Sequence, residues 1–206
     1  MASILKVDTI QDQSGNNIIN ENANTVTIGK SGDTVNVIGT LQNGGTNFLQ
    51  GITEADQWRL TADITSDGTN QFITSNLERI DTSGQGTLGT GMTESSGVFT
   101  FPSTGIWIVR SVMSFQGIDG TEVAMTNSIY VTVNNSTYSR IALNQNGNNS
   151  GSQQNMSAMT ETFIDVTNTS NVKVKFEYSS VNNGNNILGE TTESRTYFTF
   201  IRLGDT

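Results

Sequence analysis

Gly84-Gln85-Gly86-Thr87-Leu88-Gly89 matches the G-x-G-x-x-G pattern in which backbone N–H groups receive a pyrophosphate. That chemistry needs a strand before the glycines, a helix after them and an acidic residue further on for a ribose. Here the following residues, Met92 to Phe101, are poor in helix formers, and no acidic residue stands at 105–110. In a chain with 21 glycines the match is a chance one. Asp63, Thr65, Asp67, Gly68 and Asn70 space oxygen ligands like the start of an EF-hand loop. The twelfth position is Thr74 where a bidentate Glu is required. A β-turn at Asp67-Gly68 accounts for the same residues, and an irregular divalent site shared between subunits stays open.

Hydrolysis of a glycoside needs two carboxylates about 5–10 Å apart. Glu161 and Asp165 share a strand face, but four residues of strand separate them by about 13 Å. Glu190 and Glu193 lie in a polar stretch with nothing beside them to position an acid. The chain has no His and no Cys. That removes a Ser-His-Asp triad, a Cys nucleophile, a disulfide framework and the usual zinc sites. The expectation is a non-enzyme with no catalytic residue, no cofactor and no metal. Among the aromatics, Trp107 and Tyr178 fall on the core parity of their strands. Tyr130 and Tyr138 fall off it and are the candidate surface contacts, with faces that can stack on a sugar.

The elements that position these residues follow from composition and alternation. Of 206 residues, 30 are Thr, 24 Asn, 21 Ser and 21 Gly, against 9 Leu and 7 Ala, which disfavours a helical bundle. Thr suits strands, and Asn, Gly and Ser suit turns. The formal net charge of −9, with basic residues scattered along the sequence, argues against a nucleic-acid partner. No apolar run approaches the roughly 20 residues that span a bilayer, so no membrane insertion is expected. The N-terminus also lacks the apolar core of a signal peptide.

Residues 1–50 contain no aromatic before Phe48 and hold two related segments, Thr25-Val26-Thr27-Ile28-Gly29 and Thr34-Val35-Asn36-Val37-Ile38-Gly39. Each offers too few apolar side chains for a core of its own, so Val26, Ile28, Val35 and Val37 are candidates for packing between subunits. Thr53-Glu54-Ala55-Asp56 has the pattern that opens one helical turn. Beyond it, alternation marks strands. Trp58, Leu60, Ala62 and Ile64 share a face, as do Trp107, Val109, Met113 and Phe115. Val123, Met125, Ile129, Val131 and Val133 form another such series, interrupted by Asn127. Val172, Val174, Phe176 and Tyr178 oppose Lys173, Lys175 and Glu177. Ser83-Gly84, Ser96-Gly97, Asn183-Gly184 and similar pairs mark the turns. The stretches 144–156 and 182–194 read as long polar loops. The closing strand Thr196–Leu203 is apolar on both faces, which calls for cover on both sides. Phe198 and Phe200 are its candidates for a subunit interface.

Gly97-Val98-Phe99-Thr100-Phe101-Pro102-Ser103-Thr104-Gly105-Ile106-Trp107-Ile108-Val109 resembles a stretch of the complement-globular-head and tumour-necrosis-factor-like jelly rolls. In those proteins a strand ending in Phe-x-x-Pro turns through Gly into a long aromatic-rich strand. Tyr197-Phe198-Thr199-Phe200-Ile201-Arg202-Leu203 resembles their terminal core strand. The resemblance covers roughly 56–206 and implies a ten-stranded jelly roll assembled as a compact trimer. Ser3 to Asp12, Ser14-Gly15 and Ser31-Gly32-Asp33-Thr34-Val35 are similar to N-terminal segments of fibre-like virion proteins of marine tailed phages. There the first part docks on the particle and the repeats form a short intertwined stalk.

The expected class is therefore all-β: an N-terminal β-repeat anchor or stalk over 1–50, then a jelly-roll sandwich over 56–206, trimeric. The function so implied is a structural virion protein, located in the virion. It would be a homotrimeric fibre or spike that contacts other virion proteins through its N-terminal segment and host-surface glycan through its knob. A capsid decoration protein is the alternative. A polysaccharide depolymerase and a cellular lectin stand behind it.

Overall fold

A computed structural model of the chain describes residues 37–39, 42, 43, 46, 47, 51–118, 124–147 and 152–206. The chain divides into two compact units, Met1–Leu49 and Gln50–Thr206. In the first, β1 (Gln42–Asn43) pairs antiparallel with β2 (Thr46–Asn47). Val26, Ile28 and Val35 lie outside the described residues, and Val37 is 48% exposed.

The second unit is built from strands alone, with no helix among the described residues. In chain order they are β3 (Ala55–Leu60), β4 (Ile64–Thr65), β5 (Gln71–Phe72), β6 (Leu77–Arg79), β7 (Thr93–Ser95), β8 (Val98–Thr100) and β9 (Gly105–Gly117). Then follow β10 (Met125–Thr132), β11 (Ser139–Asn146), β12 (Gln154–Val166), β13 (Lys173–Ser179), β14 (Asn186–Ile187) and β15 (Tyr197–Gly204). One sheet runs β11-β10-β13-β8-β7, with β5 also on β13. The other runs β4-β14-β9-β15-β3-β6, with β12 on the free edge of β9. All pairs are antiparallel, and the two sheets face each other as a sandwich, one of the forms the alternation allows and the jelly roll that the resemblance implies.

Alternation along β9 is complete. Gly105, Trp107, Val109, Ser111, Met113, Phe115 and Gly117 are buried, while the residues between them are half-exposed. Seven aromatic rings, Trp58, Phe99, Phe101, Trp107, Phe176, Phe198 and Phe200, contact one another through the centre of the sandwich. Phe176 on β13 stacks on Phe198 of β15 with ring centroids 3.9 Å apart, and Phe99 lies 5.2 Å from Phe200 and 5.6 Å from Trp58. Burying each such side chain contributes roughly 1.5–3 kcal/mol. The β7–β8 turn is the two-residue type favoured by strand twist, with both Ser96 and Gly97 at positive φ. A Cβ on Gly97 would meet the Ile73 carbonyl oxygen, so that position admits only glycine.

Asn127, which breaks the apolar series of its strand, joins the two sheets. Its Nδ2 donates to the carbonyls of Ser111 (3.0 Å) and Ala158 (2.8 Å), and its Oδ1 accepts from Ser111 Oγ (2.8 Å). Asn127→Ala orphans these buried groups and is expected to cost about 3 kcal/mol of unfolding free energy in urea. A loss below about 1 kcal/mol would mean that the bridge carries no stability.

Three expectations change. Thr53–Asp56 does not begin a helical turn; Ala55 opens β3, because Asp56 turns inward as a hydrogen-bond acceptor. The stretch 144–156 is shorter as a loop than it reads, since β11 reaches Asn146 and β12 begins at Gln154. Asn144 and Asn146 donate from β11 to the carbonyls of Met159 (2.7 Å) and Ser157 (2.9 Å), covering the edge that β12 would otherwise expose. The stretch 182–194 is partly packed: Ile187 and Leu188 are buried, and Asn185 Oδ1 accepts from the Ile118 backbone N–H at 2.8 Å.

Candidate functional site

Two outward surfaces of the sandwich collect residues with something to bind. The first is the outer face of the sheet containing β9. Register places Phe163, Ile108, Ile201 and Ala55 in one rung across β12, β9, β15 and β3. Met159, Val112, Tyr197 and Arg59 form a second rung, four residues along. Between them lies a polar rung of Glu161, Arg110, Thr199 and Gln57. Arg110 donates to Glu161 through both Nε (2.8 Å) and Nη2 (2.6 Å).

Phe163 is 66% exposed and Met159 52%, and Leu203, at the irregularity that ends β15, is 48% exposed. Phe163 and Met159 are large apolar side chains left to water on one regular face. Exposed apolar side chains gathered on one face in this way point to an interaction surface, here with an ion pair between the two rungs. The face is bounded on the β3 side by Arg59, whose side chain is fully covered. Arg59 Nε donates to Glu78 Oε1 and Nη2 to Asp81 Oδ1, both at 2.7 Å, and Nη1 donates to Thr82 Oγ1 at 2.7 Å. Toward the other end, a hollow of about 390 Å³ is lined by Ser114, Ser157, Leu188 and the Glu193–Arg195 ion pair.

Phe198 and Phe200 do not lie on this face. Both have no exposed surface and belong to the core of the single subunit. The side of β15 free for contact is the opposite parity: Tyr197, Thr199 and Ile201. The two aromatic side chains turned inward because the partner sheet offers them Phe99 and Phe176 to pack against.

The second surface is the outer face of the sheet containing β13, and it holds both tyrosines singled out above. Tyr130 meets Phe72 edge-on at 5.0 Å and donates its hydroxyl to Glu177 Oε2 at 3.0 Å. Lys175 Nζ sits 4.4 Å from the Tyr138 ring centroid and 5.2 Å from that of Phe72, in cation–π contact with both. A groove of about 400 Å³ runs beside this cluster, between β7 and the loop carrying Asn135 and Tyr138. Its floor is Val98, Thr100, Lys173 and Lys175. The outward alternation of Lys173 and Lys175 is visible in the sequence; their juxtaposition with Tyr138 and Thr100 is not, because it depends on cross-strand register.

Burial raises the phenolic groups of Tyr130, Tyr138 and Tyr178 above the ordinary tyrosine range, reinforced at Tyr130 by its bond to Glu177 and at Tyr178 by the charge of Asp67. A raised folded-state value stabilises the fold below the unfolded tyrosine pKa of about 10, and that contribution is lost as pH rises through the folded values. Tyr178→Phe is therefore expected to lose less stability than the native chain as pH rises above about 10. Parallel alkaline unfolding curves would contradict this.

Of the acidic groups weighed for an ion loop or for hydrolysis, Asp67, Glu161 and Glu190 have structural partners. Asp67 Oδ1 accepts from the Thr69 N–H (2.9 Å) and hydroxyl (2.7 Å), which hold its carboxyl below the usual range. Gly68 follows at φ +85°, in the turn that the Asp67-Gly68 pair predicts. Glu161 is paired with Arg110, and Glu190 is lowered by the backbone N–H groups of Thr191 and Thr192. Among the described residues, no three His, Cys, Asp or Glu side chains gather as metal ligands would.

No protein-family model matches the sequence, and no curated protein matches it. Solved structures do resemble it in fold. Eiger TNF from S. frugiperda shares 8% identity at a TM-score of 0.55, covering 76% of this chain and 96% of that one. Murine APRIL at pH 5.0 shares 11% identity at a TM-score of 0.52, covering 73% of this chain and 98% of that one. At such identities the likeness is one of fold alone: the chain carries a tumour-necrosis-factor-like jelly roll.

Proposed function

We infer that the protein is a homotrimeric virion appendage of a tailed phage. Its N-terminal segment, 1–50, docks on other virion proteins, and its jelly roll projects as a knob that attaches to host-surface glycan. The observation that carries the reading is the outer face of the β9 sheet, where Phe163 and Met159 are more than half exposed and Ile108 and Ile201, in the rung of Phe163, are half-exposed beside them. Packing that face against a second and third copy supplies the missing cover, at about 25 cal/mol per Å² of apolar area removed from water. The Arg110–Glu161 pair between the apolar rungs supplies orientation more than affinity. The likeness of the first 50 residues to phage stalk segments supports the assignment to a particle.

The test is imaging of purified virions with gold-labelled antibody against the knob. Label at the tip of a tail-associated appendage is the expected result. Label spread over the head would favour a decoration protein, and particles without label would remove the virion reading altogether.

A further inference from the structure

We propose that the groove between β7 and the 133–138 loop is a binding site for an acidic saccharide. In it Lys173 and Lys175 take the anionic group, and Tyr138 with the neighbouring hydroxyls takes the sugar ring. The proposal rests on the attachment reading above and names the class of ligand.

Charge distribution points to the groove. The chain carries a formal −9, and five of the arginines described, Arg59, Arg79, Arg110, Arg195 and Arg202, are held in ion pairs. Among the described residues, Lys173, Lys175 and Arg140 have no carboxylate within ion-pair distance, and all three lie on the sheet containing β13. Arg140 is cross-strand from Tyr130, and Tyr130 from Lys175. Among the described residues, the cations without an ion-pair partner are thus gathered on one face. Glu177, the acid on the same face of β13, is 9% exposed and engaged by the Tyr130 hydroxyl.

The shape fits one sugar unit better than an extended polyanion. Lys173 faces Thr100 across the strand pair, and Thr100 faces Thr93, so an ammonium and two hydroxyl-bearing residues form one rung of the floor. Tyr138 forms the wall, and its ring also fixes Lys175. That wall is preorganised: Asn134 Oδ1 accepts from the backbone N–H groups of Ser136 (3.0 Å) and Thr137 (2.9 Å), and Asn135 N–H donates to the Asn171 carbonyl (2.9 Å). A rigid aromatic and a pre-set cation reduce the ordering cost of binding. Nucleic acid, with a charge at every residue, is disfavoured by the net negative chain around the site.

The experiment is calorimetric titration of the full-length protein with three probes: trigalacturonate, a sulfated galactan trisaccharide and neutral maltotriose. At least one acidic probe is expected to bind, maltotriose is not, and binding weakens with added salt. Whether galacturonate or the sulfated sugar binds separates a carboxylate from a sulfate ligand. The double variant Lys173→Gln/Lys175→Gln should weaken binding by at least about tenfold, since one charge-assisted hydrogen bond is worth that much. Tyr138→Ala should weaken it as well, and the lysine variant, which loses only the two ring contacts of Lys175, should still unfold cooperatively.

Equal binding of maltotriose, unchanged binding by the double variant, or no binding of either acidic probe would each overturn the proposal. Staining of infectable cells with labelled protein separates the two levels. If native and double-variant protein stain alike, the groove is wrong and attachment stands. If neither stains while the acidic probe still binds in solution, attachment is wrong and the groove stands.

Discussion

Phe163→Arg is expected to convert the assembled protein to monomers without unfolding them. Phe163 points outward from β12 and is 66% exposed in the subunit, so its removal leaves no cavity in the core. Surface substitutions of that kind change subunit stability by about 0.5 kcal/mol or less. In a trimer the same change acts three times. Each copy forfeits about 2 kcal/mol of ring burial, and each inserts a cation into an apolar contact. The Arg110 of the next rung, already satisfied by Glu161, adds like charge to the new side chain. Sedimentation velocity should show loss of the trimer at micromolar protein with the melting temperature of the subunit preserved. A trimer that survives Phe163→Arg would place the interface elsewhere.

Asp56→Ala is expected to lose about 3–5 kcal/mol of stability, the cost of removing one partner from a buried ion pair. Asp56 is 3% exposed at the start of β3. Its oxygens accept from Arg79 Nε (3.0 Å), Trp58 Nε1 (3.0 Å), the Met92 backbone N–H (2.7 Å) and Thr87 Oγ1 (3.2 Å). One carboxylate therefore ties β3 to β6 and to the segment preceding β7. Without it, the Met92 amide and the indole N–H lose their acceptor. Arg79→Met should cost less, because the buried carboxylate it leaves still accepts from the Trp58 indole, the Met92 N–H and the Thr87 hydroxyl. Urea unfolding of the two variants checks the ordering; equal costs would mean that the ion pair, and not the convergence of donors on Asp56, carries the stability.

The strands were legible where one face is apolar and the other polar. The series Trp107 to Phe115 and Val172 to Tyr178 is buried as its alternation predicts, because a period of two admits only one inward face. β15 is apolar on both faces, so alternation could not say which parity meets the core. Phe198 and Phe200 went inward since register sets Phe198 beside Trp58 and Ser111, and Phe200 beside Val109 and Asp56. The face left outward, Tyr197 and Ile201, became visible only with that register. Asn127 showed in the sequence as a break in pattern, but its partners are 16 and 31 residues away and no local signal names them. The polar ends of strands, residues 144–146 of β11 and 154–156 of β12, read as loop because their stabilisation comes from ladder bonds and asparagine side chains, not from apolar content.

The cation cluster of the groove has the same origin. Lys173 and Lys175 sit two apart, whereas Tyr138 and Val98 arrive from different strands and turns. Scattered basic residues in the sequence become a local patch once β8, β10 and β13 align. The candidate site was thus legible in its residue types and not in its assembly.

Assembly through the outer face of the β9 sheet is the central claim, and the mass of the native protein in solution tests it most directly. Sedimentation equilibrium of the full chain at micromolar concentration should give a single species of three times 22.2 kDa. A stable species of 22.2 kDa, with Phe163 and Met159 exposed to solvent in the free protein, would contradict it.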